Sequence, residues 1–182
     1  LDAHPRIVEC SAAARAQGVE PGMLLGRALG ACPDLQLVEH DAAVIEDRGV
    51  LFVERLEELG AGVEPLRPGR VLFAVRPLLR LYEGEAGVVE RVFAQFPRVR
   101  DVLRVGIGPN RFVAEVAAWR AAPGRCLSVE QEHVRPLLAP LPSRILPIES
   151  RMLETWQALG LDTLADVAVL DRSKVAERFG PA

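Results

Sequence analysis

Lysine is almost absent from this chain, in which Lys174 is the only lysine and arginine supplies nearly all the positive charge. The chain has 25 Asp and Glu residues against 22 Lys and Arg, a formal net charge of -3. A free-standing nucleic-acid-binding protein usually has a basic surface, since each phosphate it neutralises releases counterions and adds affinity. The composition therefore predicts weak binding to nucleic acid by this chain alone.

Long apolar runs and ordered cysteine patterns are also missing. No run of about 18 apolar residues occurs, so no membrane-spanning helix is predicted, and no charged-then-apolar leader indicates secretion. Cys10, Cys32 and Cys126 show no metal-ligand spacing and cannot all pair with one another. The sequence predicts a globular protein of the reducing cytoplasm with no membrane partner, no metal site and no cofactor.

The most informative stretch runs from Val105 to Trp119. It begins as a β-rich segment, turns at Gly108-Pro109-Asn110 and continues with apolar residues at helical spacing. Pro109 is suited to the first turn of that helix, and Asp41 to the N-cap of an earlier one that Gly60 would end. Strands are predicted at 6–9, 35–38, 62–65, 70–76, 102–107 and 125–128, and helices at 12–17, 24–30, 41–60, 85–96, 109–120, 130–138, 149–159, 163–170 and 172–179.

This strand, turn and helix, with Pro123-Gly124 beyond them, resemble the corresponding segment of the Y-family (lesion-bypass, UmuC/DinB-like) DNA polymerases. Residues 7–23 are similar to the family's strand leading into the fingers, and residues 159–168 and 178–180 to its thumb. The resemblance implies an α+β fold with a ferredoxin-like polymerase palm, small helical fingers and a helical thumb. It assigns residues 1–40 to a palm edge strand and the fingers, 41–139 to the palm, and 140–182 to a helix-hairpin-helix-like thumb. The family's first strand and little finger are expected to lie beyond this chain.

The family's metal-binding positions are altered in this chain. Nucleotidyl transfer uses clustered carboxylates to hold two divalent ions. Aligned with the family's S-x-D-E-A-x-L-D strand, Gly69 and Arg70 occupy the Asp-Glu positions and Ala74 the later Asp. Because a guanidinium is charged at any physiological pH, Arg70 would oppose a metal ion. The resemblance thus implies degenerate catalytic positions and a protein that is not an enzyme.

The family's nucleotide pocket is altered as well. Ala12 and Ala13 replace a tyrosine and a glutamate, and Glu115 replaces a lysine, so a carboxylate would repel a triphosphate there. The first thumb hairpin, residues 146–152, lacks the glycine that lets backbone N–H groups face a phosphate. Arg111 and Glu115 are also spaced for an ion pair along one helix. The candidate contacts to DNA or phosphate implied by the resemblance are Arg15, Arg111 and Gly160.

These losses together resemble the catalytically inactive, ImuB-type members of the family. The resemblance implies an adaptor in DNA damage tolerance and induced mutagenesis (translesion synthesis). Its partners would be a replicative-type catalytic polymerase, a RecA-like accessory protein and the sliding clamp, with DNA bound only weakly. One alternative is an active lesion-bypass polymerase that uses unrecognised carboxylates such as Glu64. Another is a ferredoxin-like protein-interaction module unrelated to DNA.

Overall fold

The computed structural model of the protein describes residues 5–39, 41–146 and 148–170. Within these ranges the chain forms two compact units, with the boundary between Phe52 and Val53. No helix in the described part of the chain is long and apolar enough to cross a membrane.

The first unit is built from short helices. It contains α1 (Ala12–Ala16), α2 (Leu25–Ala31) and the larger part of α3 (Ala42–Glu57), which continues into the second unit. The predicted N-cap of α3 is confirmed, because the Asp41 carboxylate accepts a hydrogen bond from the Val44 N–H at 3.1 Å. The core of this unit consists of Ala14, Val19 and Ala28, against which Ile7, Cys10, Met23, Cys32 and Leu35 pack.

Two strands predicted in this unit are wrong. At residues 6–9 the structure has only an isolated bridge between Arg6 and Leu24. Residues 35–38 are irregular and have no strand partner in the described ranges. Val38 is 92% exposed, so the apolar residues that suggested a strand are not buried against a sheet.

The second unit combines two small sheets with helices. β1 (Val63–Arg67) and β2 (Arg70–Phe73) form an antiparallel hairpin, whereas β3 (Arg104–Ile107) and β4 (Arg125–Ser128) pair in parallel, with Val105 opposite Cys126. This mixture of helices and strands confirms the predicted α+β class. Its elements are β1 (Val63–Arg67), β2 (Arg70–Phe73), α4 (Glu85–Gln95), β3 (Arg104–Ile107), α5 (Arg111–Arg120), β4 (Arg125–Ser128), α6 (Val134–Leu138), α7 (Ser150–Ala158) and α8 (Leu164–Ala168).

The β3–α5–β4 crossover encloses a hydrophobic core of this unit. A Cβ atom at Gly106 would overlap the backbone of Ala114 and Ala118, so the glycine allows α5 to lie directly on β3. The predicted start of this helix at Pro109 is wrong by two residues. The Asn110 side chain accepts a hydrogen bond from the Val113 N–H at 3.0 Å and so acts as the N-cap. The core here consists of Val113, Ala117 and Val129, with Leu127, Val134, Leu137 and Leu138 packed against it.

The β1–β2 hairpin turns through Pro68 and Gly69, and Gly69 has a φ of 72°. The register shifts between Pro65 and Arg67, which marks an irregularity in β1. β2 ends at Phe73 rather than at the predicted residue 76, because the backbone then forms a 3-10 turn at Arg76–Leu78.

The last described elements are α7 and α8. Gly160, with a φ of 74°, ends α7. Thr163 and Asp166 form a capping box at the start of α8. The predicted helix at 172–179 and the thumb-like residues 178–180 lie outside the described residues.

Candidate functional site

A bidentate ion pair joins the β1–β2 hairpin to the start of α5. The Arg111 guanidinium donates from Nη1 to Glu64 Oε2 at 3.0 Å and from Nη2 to Glu64 Oε1 at 2.6 Å. The side chains of Arg111 and Glu64 are 51% and 55% exposed. The pair is therefore open to solvent and to any ligand that approaches this surface.

A second carboxylate lies one turn farther along the same helix. Glu115 Oε1 is 3.8 Å from Arg111 Nε, and the two side chains form the i,i+4 ion pair that the spacing predicted. One cation facing two anions leaves one negative charge on the trio. An approaching phosphate therefore meets net repulsion as long as both carboxylates remain in place.

The three altered catalytic positions all lie on or beside the hairpin. Gly69 is in the turn, Arg70 begins β2 opposite Arg67, and Ala74 follows the end of β2. All three are exposed. None offers a carboxylate, whereas magnesium ions in such sites need oxygen ligands.

The neighbouring carboxylate does not complete a metal site. Glu64 lies on β1 opposite Leu72 and is already paired with Arg111. Glu64 and the three altered positions therefore do not by themselves hold two metal ions. In the described ranges, the one group of three side chains close enough to share a metal ion consists of the exposed residues Glu130, Glu132 and His133, outside this hairpin.

The other predicted phosphate contacts belong to other elements. Arg15 is exposed in the last turn of α1, which belongs to the first unit. The N–H of Gly160 donates to the carbonyl of Gln157 at 3.0 Å, so this group helps to end α7. The roles of Arg15, Arg111 and Gly160 as DNA contacts stay predictions.

The pairing of Arg111 with Glu64 was missed by reasoning from the sequence. The two residues are 47 positions apart, and no local spacing rule links them. Each was singled out for a different role, Arg111 for phosphate and Glu64 for a metal ion. The one signal available was their charge, because both lie in segments otherwise rich in apolar residues.

A further polar contact joins the start of α4 to β4. The Ser128 hydroxyl donates to Glu85 Oε2 at 2.8 Å. Burial, followed by the negative charge of Glu85, raises the pKa of the nearby Cys126 thiol. The thiol is therefore kept in its protonated, less nucleophilic form.

Comparison with known proteins places these features in a family. A family model described as IMS, the impB/mucB/samB family, matches residues 2–119. DNA polymerase IV of Caulobacter vibrioides is 26% identical over 170 residues, which cover 92% of this chain and 42% of that protein. DNA polymerase IV 2 of Methanosarcina mazei is 27% identical over 180 residues, covering 94% of this chain and 47% of that protein. DNA repair protein rev1 of Schizosaccharomyces pombe is 25% identical over 178 residues, covering 96% of this chain and 19% of that protein.

Solved structures show the same fold. DinB from Sulfolobus solfataricus superposes with a TM-score of 0.75 at 18% identity, covering 99% of this chain and 54% of that one. A Dbh ternary complex gives a TM-score of 0.76 at 18% identity, covering 97% of this chain and 54% of that one. These likenesses confirm the expected polymerase fold. The chain spans less than half the length of the three curated relatives and about half of the two solved chains.

One prediction is corrected by these comparisons. The absence of carboxylates at Gly69, Arg70 and Ala74 led to the expectation that the protein is not an enzyme. The relatives from Caulobacter and Methanosarcina are DNA polymerases by name, and they align with nearly the whole chain. The comparisons therefore point to an enzyme, and the inference from three positions was wrong because it gave too much weight to one hairpin.

Proposed function

Because this chain belongs to the impB/mucB/samB family, we propose that it forms the polymerase portion of a Y-family protein that acts on primed DNA in translesion synthesis. The observation that carries the proposal is the extent of the family match, which covers residues 2–119 and so includes the hairpin, β3, nearly all of α5 and the helices before them. Residues 41–139 would form the palm, with residues 1–40 contributing a palm edge strand and the fingers and 140–182 the thumb. Such a protein would work in the cytoplasm.

The cations that would meet the DNA backbone are Arg15 and Arg111. Both are exposed, and an arginine fork matches the geometry of a phosphate. The negative net charge of the chain, together with Glu64 and Glu115 beside Arg111, supports only weak phosphate binding by this portion alone. The weak affinity would still fall with rising salt, because phosphate contacts release counterions.

An assembly role is proposed for the same protein. The partners would be a replicative-type polymerase, a RecA-like accessory protein and the sliding clamp. The support is the segment at residues 65–84, where a strand leads into the turn Arg80-Leu-Tyr-Glu-Gly84, an order that resembles the ImuB-type members. Leu81 in this turn is 65% exposed. Coprecipitation of the full-length protein with purified clamp tests this role, and Leu81→Ser is expected to weaken a partner contact made through this segment.

A binding experiment tests the DNA-facing surface. Fluorescence anisotropy with the full-length protein would compare a fluorescein-labelled primed template with an unprimed duplex across salt concentrations. We expect tighter binding to the primed template. We also expect a loss of about two- to fivefold with Arg15→Ala or Arg111→Ala, since one phosphate contact contributes modestly.

The matched control for this experiment is Arg120→Ala, which removes an exposed arginine from the last turn of α5. This variant is expected to bind as the wild type does. Equal losses from all three arginine substitutions would mean that binding follows total charge alone and would contradict the assignment.

A further inference from the structure

We propose that Glu64 and Glu115 mask Arg111, so that its guanidinium binds a phosphate group only after the pair with Glu64 opens. The proposal rests on the proposed function and concerns regulation of the same site. The phosphate could belong to a nucleoside triphosphate or to the DNA backbone, since both present the same chemistry to an arginine.

The geometry of the pair carries the proposal. The two Nη atoms of Arg111 both point to Glu64, at 3.0 and 2.6 Å, and Nε faces Glu115 at 3.8 Å. A phosphate binds arginine through the same fork of parallel N–H groups. Glu64 and a phosphate therefore compete for the same donors, and both cannot make the bidentate contact at once.

The ion pairs that hold Arg111 are exposed to solvent, so another anion can displace the carboxylates. The Arg111 and Glu64 side chains are about half exposed, at 51% and 55%, and the Glu115 side chain is 37% exposed. Exposed ion pairs are weak because water and salt screen them. A polyphosphate carries several negative charges, so it can replace a single carboxylate that holds the guanidinium only weakly.

The position of Arg111 in α5 adds to the competition. Arg111 is the first residue of this ten-residue helix, after the Asn110 cap. The amino end of a helix favours an anion, because its partial positive charge and its free N–H groups lie there. In this structure the guanidinium carried by that first residue is already held by the Glu64 carboxylate.

The test measures binding of inorganic tripolyphosphate to the full-length protein by isothermal titration calorimetry. Glu64→Gln keeps the side-chain shape but removes the competing charge. We expect it to tighten tripolyphosphate binding about fivefold, the effect of losing one exposed bidentate ion pair. Glu58→Gln is the matched control, because Glu58 is exposed and forms no ion pair within 4 Å in the described part of the chain.

A double-mutant cycle assigns the effect to Arg111. In the Arg111→Ala background, Glu64→Gln should change tripolyphosphate binding no more than Glu58→Gln does. Glu64→Asp provides a second route if Glu64→Gln folds poorly, because the shorter carboxylate keeps its charge but cannot span the same fork. It should also tighten binding, by less than Glu64→Gln.

The same variants are then titrated with primed DNA to identify the source of the phosphate. If Glu64→Gln tightens the binding of tripolyphosphate alone, the site is assigned to a nucleotide. If it tightens the binding of DNA alone, the site is assigned to the DNA backbone. Either result supports the masking of Arg111. The mask is overturned if Glu64→Gln matches Glu58→Gln with both probes, or if the gain persists without Arg111. Failure of the proposed function is a separate result, namely no preference of the wild type for primed DNA.

Discussion

At the scale of single residues, Asn110 decides where α5 begins and so where Arg111 is placed. Its side chain accepts from the Val113 N–H at 3.0 Å. We expect Asn110→Ala to lower the free energy of unfolding by about 1 kcal/mol, the usual loss when a capping side chain is removed. Urea denaturation followed by circular dichroism measures this change. Asn110→Asp preserves the cap and should stay near the wild type, so equal losses in both variants would contradict the capping role.

Asp166 gives a prediction about pH. The Thr163 hydroxyl donates to Asp166 at 2.6 Å and the Thr163 N–H at 2.8 Å, and these hydrogen bonds lower the pKa of Asp166. The folded-state pKa thus lies below the unfolded value of about 3.9. The stabilisation is fully present above that unfolded value and is lost as pH falls through the folded pKa.

Carboxyl NMR titration measures this effect directly. Thr163→Ala removes the hydroxyl donor, which is the largest cause of the shift, and should therefore raise the titration midpoint of Asp166. Thr155→Ala is the matched control, because the Thr155 hydroxyl donates to the Arg151 carbonyl and its loss should leave the midpoint of Asp166 unchanged. An unchanged Asp166 midpoint in the variant would show that the capping box does not hold the carboxylate.

At the scale of elements, the contact between β3 and α5 depends on Gly106. A Cβ atom there would overlap the backbone of Ala114 and Ala118, which cannot move as the end of a side chain can. We expect Gly106→Ala to destabilise the protein by at least about 2 kcal/mol, in the upper range of overpacking effects. Thermal unfolding with calorimetry measures the loss. Gly62→Ala is the control, since nothing lies within 4 Å of a Cβ at that position, and a similar loss there would contradict the account.

Periodicity predicted most elements but not their ends or their partners. The long helix from Asp41 and the helix before Trp119 follow from apolar spacing and capping residues, which are local properties. The expected start at Pro109 was wrong because the Asn110 side chain competes successfully for the cap. The strand expected at residues 35–38 was wrong because strand formation needs a partner, and apolar composition alone does not supply one.

At the scale of the whole molecule, the order of motifs predicted the family and the fold, because motifs that resemble the family occur in many parts of the chain. The charge arrangement at Arg111 was not predictable, since the contact with Glu64 depends on how the hairpin meets α5. The enzyme status was misjudged for a related reason. Gly69, Arg70 and Ala74 all lie on or beside one hairpin, whereas the activity of a polymerase depends on the complete protein.

Primer extension by the full-length protein tests the central claim most directly. The assay would use a primed template with and without an abasic site, Mg²⁺ and all four deoxynucleoside triphosphates, with heat-inactivated protein as the control. The account predicts primer-dependent incorporation on the undamaged template and extension past the abasic site. Absence of incorporation above the control on both templates, by protein that binds primed DNA, would contradict the claim that this chain is part of a lesion-bypass polymerase.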